Sequence, residues 1–191
     1  MPYSDIFAPT WNILFVQLLT ILTIIISIAI WIAIYKKLEI WDRFKSMLLF
    51  PLILWVVFGT LDIVITARGT YFYPSLESNV STRILIETFG MFGTSIASFL
   101  WISLWAGVIA SLLKNVKNRA ADFICAAILY TLAFGHMLGF GSWMEATRES
   151  VIAIKNALGI LPRQGITDSI FPTRITEILP GLLAAAVHFA I

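Results

Sequence analysis

Between residues 11 and 34 the chain carries no charged side chain and only a few uncharged polar ones. No other feature limits the fold so severely. A helix rises 1.5 Å per residue and the hydrocarbon of a bilayer is about 30 Å thick, so roughly 20 apolar residues are enough to cross it. The run exceeds that length, no Lys or Arg precedes it, and it is too long for the core of a signal peptide. We read it as a retained transmembrane helix. Further apolar runs follow at about residues 47–66, 84–113, 120–143 and 175–191. The second contains Asp62, with Pro51 in its first turns, where a missing N–H costs little. The third is long enough to tilt or project beyond the bilayer. The fourth holds Asp122, Cys125 and His136, and the short fifth holds Glu177 and Pro180. The expected fold class is an all-α integral membrane helical bundle of about five transmembrane helices in a single domain, residues 1–191.

Composition agrees. Only 13% of the 191 residues are charged and 59% are hydrophobic, against about 25% charged in ordinary soluble domains. A globule so poor in charge must meet lipid over most of its surface. The net charge of +2 argues against a nucleic-acid partner, which needs clustered Lys and Arg on a solvated face. The single cysteine, Cys125, can form no internal disulfide and belongs to no metal-ligand spacing.

Short loops rich in Lys and Arg face the cytoplasm. Lys36, Lys37, Arg43 and Lys45 crowd the first connection, and Lys114, Lys117 and Arg119 the third. The expected location is the cell membrane, with the N-terminus outside and the C-terminus cytoplasmic. Beyond the fourth run, Ser142-Trp143-Met144-Glu145 fits the S-x-x-E capping box. From Met144, apolar residues recur at spacings of three and four through Thr147, Val151, Ile154, Leu158 and Leu161. This predicts an outer amphipathic helix over about 143–161 that either lies on the membrane surface or packs on the neighbouring spans.

Ionisable side chains at bilayer depth are costly and mark sites by default. By helical rise, Asp62 and Glu87 lie about 6 Å inside the outer ends of their spans and His136 roughly 10 Å inside its own. Glu145 and Arg148 stand at the mouth. The candidate intramembrane polar cluster is therefore Asp62, Thr66, Glu87, His136, Glu145 and Arg148. Gly59, Asp62 and Thr66 share one face of their helix. Gly90, Thr94 and Ser98 share a stripe with Glu87, and Gly135 and Gly139 flank His136. Small residues at such spacing bring membrane helices close together. A structural reading stands beside each assignment: Asp62 as a buried, hydrogen-bonded acid, Glu87 paired with Arg83 at i, i+4, and His136 as an interhelical hydrogen bonder. Asp122 falls in the first turn of its helix, where an acid favours the dipole.

The segment Asp62-Ile-Val-Ile-Thr66, followed by Glu77-Ser-Asn79, Arg83 and Gly90, resembles a pattern in small multi-pass membrane proteins of uncharacterised function from archaea and bacteria. In those, Asp-x-x-x-Thr at a helix end precedes Glu-x-Asn-Pro. Val80 stands here where that pattern has Pro. The resemblance covers about 30 residues and implies that Asp62, Thr66, Glu77 and Asn79 form one outer-face unit. It implies no activity.

There is no nucleophile elbow, Walker loop or H-E-x-x-H, so no catalytic residue is assigned and neither a cofactor nor a metal is expected. The depths of His136 and His188 do not match as a haem pair would, and Ser142 and His136 point to different sides of one helix. The leading expectation is a non-catalytic subunit or accessory component of a larger membrane complex, with lipid and other membrane subunits as partners. A small proton- or cation-coupled transport unit and an intramembrane enzyme acting on an outer-leaflet lipid are the alternatives.

Overall fold

The computed structural model describes residues 11–72, 77, 79–155 and 175–190. Among these residues the structure is all-helical: α1 (Trp11–Lys37), α2 (Trp41–Phe72), α3 (Val80–Phe89), α4 (Gly93–Asn115), α5 (Arg119–Lys155) and α6 (Ile175–Ala190). Four stretches are long and apolar enough to cross a membrane: Asn12–Lys37, Trp41–Ala67, Gly93–Asn115 and Arg119–Gly141. At 16 residues, α6 rises about 24 Å and is shorter than a full crossing.

Unlike a water-soluble protein, the bundle turns large apolar side chains outward and keeps several hydroxyls inside. On α1, Thr20 is 0% exposed while Leu18 and Ile25 are 65% and 58% exposed. Buried hydroxyls have to find partners, and these turn back on their own helix. Thr20 donates to the Val16 carbonyl at 2.8 Å and Ser27 to that of Thr23 at 2.7 Å. Thr20 also meets Ser95 Oγ on α4 at 3.1 Å. An apolar outside with a hydroxyl-lined seam inside is stable only in lipid, and the chain is a membrane protein.

Parallel pairs organise the bundle. The α1–α4 pair is tied by Thr20–Ser95 and by Tyr35, whose hydroxyl donates to the Ala106 carbonyl at 2.7 Å. The pair α2–α5 is tied at both ends, and α6 runs antiparallel on α5, with Phe189 against Phe123 at 6.1 Å between ring centroids. The core between them is aliphatic and aromatic, centred on Leu48, Trp55, Ile109, Leu113, Leu129 and Leu132.

The two Lys/Arg-rich connections lie at the same end of the bundle. The first is a tight turn in which Ile40 N donates to Tyr35 O and Glu39 N to Lys36 O, both at 3.1 Å, with Glu39 in the left-handed region at φ 60°. This is the Schellman arrangement that satisfies orphan carbonyls at a helix end. In the second, Asn118 Oδ1 accepts from Ala121 N at 2.9 Å and caps α5.

Three sequence expectations are corrected. The single helix expected over 84–113 is broken: α3 ends at Gly90, whose φ of 58° and ψ of −132° turn the chain, and a 3-10 turn over Gly90–Phe92 leads into α4. Gly93 permits this, because a Cβ there would lie 2.6 Å from Ile86 N and against Ile86 Cα. The capping box does not start a helix: α5 runs unbroken from Arg119 to Lys155, so Ser142 and Glu145 have no orphan N–H groups to satisfy. The rest of the expected 143–161 helix and its side chains lie outside the described residues. Finally, α2 begins at Trp41 rather than at 47 because Phe44 and Leu48 continue its buried face. Pro51 is therefore in the helix interior.

Candidate functional site

Parallel packing of α2 on α5 brings Asp62 to His136. The ring Nδ1 lies 2.8 Å from Asp62 Oδ2, and the two side chains are 15% and 17% exposed for His136 and Asp62 respectively. A carboxylate has no proton to give, so Nδ1–H donates and Nε2 is the second ring nitrogen. Two glycines make room for the pair. A Cβ on Gly59 would meet the imidazole at 3.5–3.8 Å, ordinary contact, whereas a Cβ on Gly139 would lie 2.8 Å from both Asp62 carboxylate oxygens. Each helix thus presents a glycine to the other's ionisable group, and the dyad is clamped between two backbones.

The other expected cluster members are placed differently. Thr66, one turn beyond Asp62, is buried, and its carbonyl accepts from Thr70 Oγ1 at 2.7 Å. Glu87 is exposed on α3. Because the chain turns at Gly90, depth counted along one continuous helix does not apply to Glu87, and it has no polar contact with Asp62 or His136 among the described residues. Arg83 reaches the Glu77 carbonyl at 3.4 Å. Glu77 is buried and its Oε1 accepts from Asn79 N at 2.8 Å, while Asn79 Oδ1 accepts from Thr82 N at 3.1 Å and caps α3. The side chains of Glu145 and Arg148 lie outside the described residues.

Two further polar knots were not foreseen as such. At the Lys/Arg-rich end Arg43 joins four groups. Its guanidinium donates to the carbonyls of Leu113 at 2.7 Å, Val116 at 2.9 Å and Asn118 at 3.0 Å, and Nε lies 2.8 Å from Asp122 Oδ1. The forked cation caps the carbonyl end of α4 and neutralises the acid in the first turn of α5. The second knot follows from Pro51. Lacking an N–H, it leaves the Met47 carbonyl without its helical partner. His188 on α6 supplies the missing donor, with Nε2 2.9 Å from Met47 O, while Tyr130 Oη lies 3.2 Å from Nδ1. With Nε2 donating, Nδ1 accepts and Tyr130 is the donor. The sequence signal was available in Pro51 at i+4 from Met47, but only the helix start at Trp41 makes that carbonyl an interior one.

Among the described residues no three His, Cys, Asp or Glu side chains converge to hold a metal ion. A small apolar pocket lies among α1, α2, α4 and α5, walled by Trp31, Tyr35, Phe44 and Trp55 and by Ala106 and Leu129. Comparison of the chain with family models, with curated proteins and with solved structures finds no match in any of the three.

Proposed function

We propose that the chain is a non-catalytic subunit or accessory component of a larger membrane assembly. One observation carries this reading. Among the described residues, Asp62 is tied to His136, Arg43 to Asp122, Tyr35 to Ala106 O, and Tyr130 and His188 to each other and to Met47 O. A carrier or an intramembrane catalyst keeps an ionisable group available to substrate or water. Here such groups act as interhelical fasteners.

In this reading the protein sits in the cell membrane with its Lys/Arg-rich end in the cytoplasm. The segment carrying Glu77 and Asn79 joins Asp62 and Thr66 as one unit at the opposite end. A proton- or cation-coupled unit is the second reading, favoured by the Asp62–His136 dyad itself, since paired acid and imidazole can exchange a proton. Capture of a tagged chain from membranes in mild detergent tests the choice. Other membrane proteins eluting at fixed stoichiometry are expected. A chain that elutes alone and conducts protons in liposomes, with the flux lost in Asp62→Asn, would overturn the proposal.

A further inference from the structure

We propose that the two Lys/Arg-rich connections form one binding surface for anionic phospholipid headgroups, in which Lys36, Lys37, Lys114, Lys117 and Arg119 hold phosphates of the adjacent leaflet. Arg43 joins the two stretches. From the first turn of α2 it donates to the carbonyls of Val116 and Asn118 in the α4–α5 connection, at 2.9 and 3.0 Å. It also takes up Asp122, a buried acid of this end, at 2.8 Å, so that acid does not offset the cations around it. All five are exposed, and none is paired with a carboxylate among the described residues. Lys45 is matched by Asp42 at 3.4 Å, which leaves Glu39 as the one unmatched exposed acid in the two stretches. The surface carries a clear surplus of positive charge.

Position selects lipid over a soluble partner. α1 ends at Lys37 and α2 begins at Trp41, while α4 ends at Asn115 and α5 begins at Arg119. Connections this short keep each of the five cations at a helix end or within a residue or two of one. Lys36 and Lys37 lie in the last turn of α1 and Lys114 in the last turn of α4. Lys36 Nζ is also held over the Trp41 ring, 5.8 Å from its centroid, and an indole at the end of a span sits at the headgroup level. The charged groups therefore stand at the depth of lipid phosphates. Each such Lys or Arg adds to the attraction for anionic lipid, over a range set by the Debye length. A choline headgroup brings its own cation against them, so the surface discriminates by charge.

The test is retention of tail-labelled phosphatidylglycerol or phosphatidylcholine by the detergent-purified full chain, immobilised through a tag. Phosphatidylglycerol should be retained in preference, and less so as sodium chloride is raised. Lys37→Gln in the first connection and Lys117→Gln in the second should each weaken its retention by about fivefold, the effect of one surface cation. Lys36→Gln or Lys114→Gln stands in for either variant that does not fold. Glu39→Gln removes the opposing charge and should strengthen retention. Equal retention of the two lipids, a loss confined to one connection, or a Glu39→Gln variant that binds no tighter would overturn the proposal. So would displacement of the lipid by inorganic phosphate or by polyglutamate beyond that produced by sodium chloride at equal ionic strength. The surface would then serve free phosphate or an acidic protein.

Discussion

Replacing Gly139 by alanine adds one methyl group at the most crowded point of the α2–α5 seam. The new Cβ would stand 2.8 Å from both carboxylate oxygens of Asp62 and 3.0 Å from its Cγ, closer than nonbonded carbon and oxygen can rest. Either the carboxylate leaves His136 or the helices part. Overpacking of this kind costs about 1–3 kcal/mol. Part of that is offset, because Ala is better in a helix than Gly by roughly 1 kcal/mol. Gly59→Ala supplies the control. It receives the same propensity gain, but its Cβ meets the His136 ring at 3.5–3.8 Å, so nothing has to move. The difference between the two variants isolates the clash and should be about 1–3 kcal/mol, with Gly139→Ala the less stable. Reversible unfolding in mixed micelles, followed by tryptophan fluorescence, measures it. Adding Asp62→Ala to Gly139→Ala removes the obstructing carboxylate and should make the pair non-additive in the favourable direction. If the two alanine variants agree within about 0.5 kcal/mol, the resolution of additivity itself, the carboxylate is not lodged against Gly139 and the clamped dyad is refuted.

Four other outcomes are expected. A double-mutant cycle of Asp62→Asn and His136→Gln should give a coupling on the order of 0.5–3 kcal/mol in the same unfolding assay, since removing one partner strands the other; additive losses would mean the two do not touch. His188→Leu should cost about 1–2 kcal/mol in the native background and clearly less in Pro51→Ala, where a restored N–H serves the Met47 carbonyl; equal costs in both backgrounds would dissociate His188 from the proline. Arg43→Ala should destabilise by about 3–5 kcal/mol because it leaves Asp122 buried and uncompensated, and Arg43→Lys should recover only part, an ammonium being unable to span the same set of acceptors. On a Cys125→Ser background, Lys37→Cys and Lys117→Cys should react with an impermeant thiol reagent from the same side of sealed vesicles, the cytoplasmic one; labelling from opposite sides would contradict the fold, and labelling of both from outside would reverse the proposed orientation.

The membrane class and the main spans were legible in one dimension because lipid imposes a length on every apolar run and tolerates little charge within it. Asp62 and His136 were legible for the same reason. Both stand in apolar surroundings near the same ends of their helices, and small residues at helical spacing marked the faces that would meet. Glu87 was misplaced by the same arithmetic. Counting depth along 84–113 assumes a continuous helix, and a glycine pair cannot be told from an ordinary packing stripe until the chain is seen to reverse. Gly93 turned out to serve the contact between α3 and α4 rather than a seam between spans.

What the sequence determined by itself was the solvent, the helical class and the placing of cations at the ends of the spans, since each follows from local composition and from the energy of a single segment in lipid. Tertiary structure decided the partners. That Arg43 reaches three carbonyls and Asp122, that His188 answers the carbonyl orphaned by Pro51, and that Asp62 meets His136 while Glu87 stands apart all depend on which helices lie side by side and where each one starts and turns. The physical reason is the reach of the forces. Apolar transfer acts residue by residue and can be summed along a chain, whereas a hydrogen bond or an ion pair exists only within about 3 Å, a distance that packing alone sets.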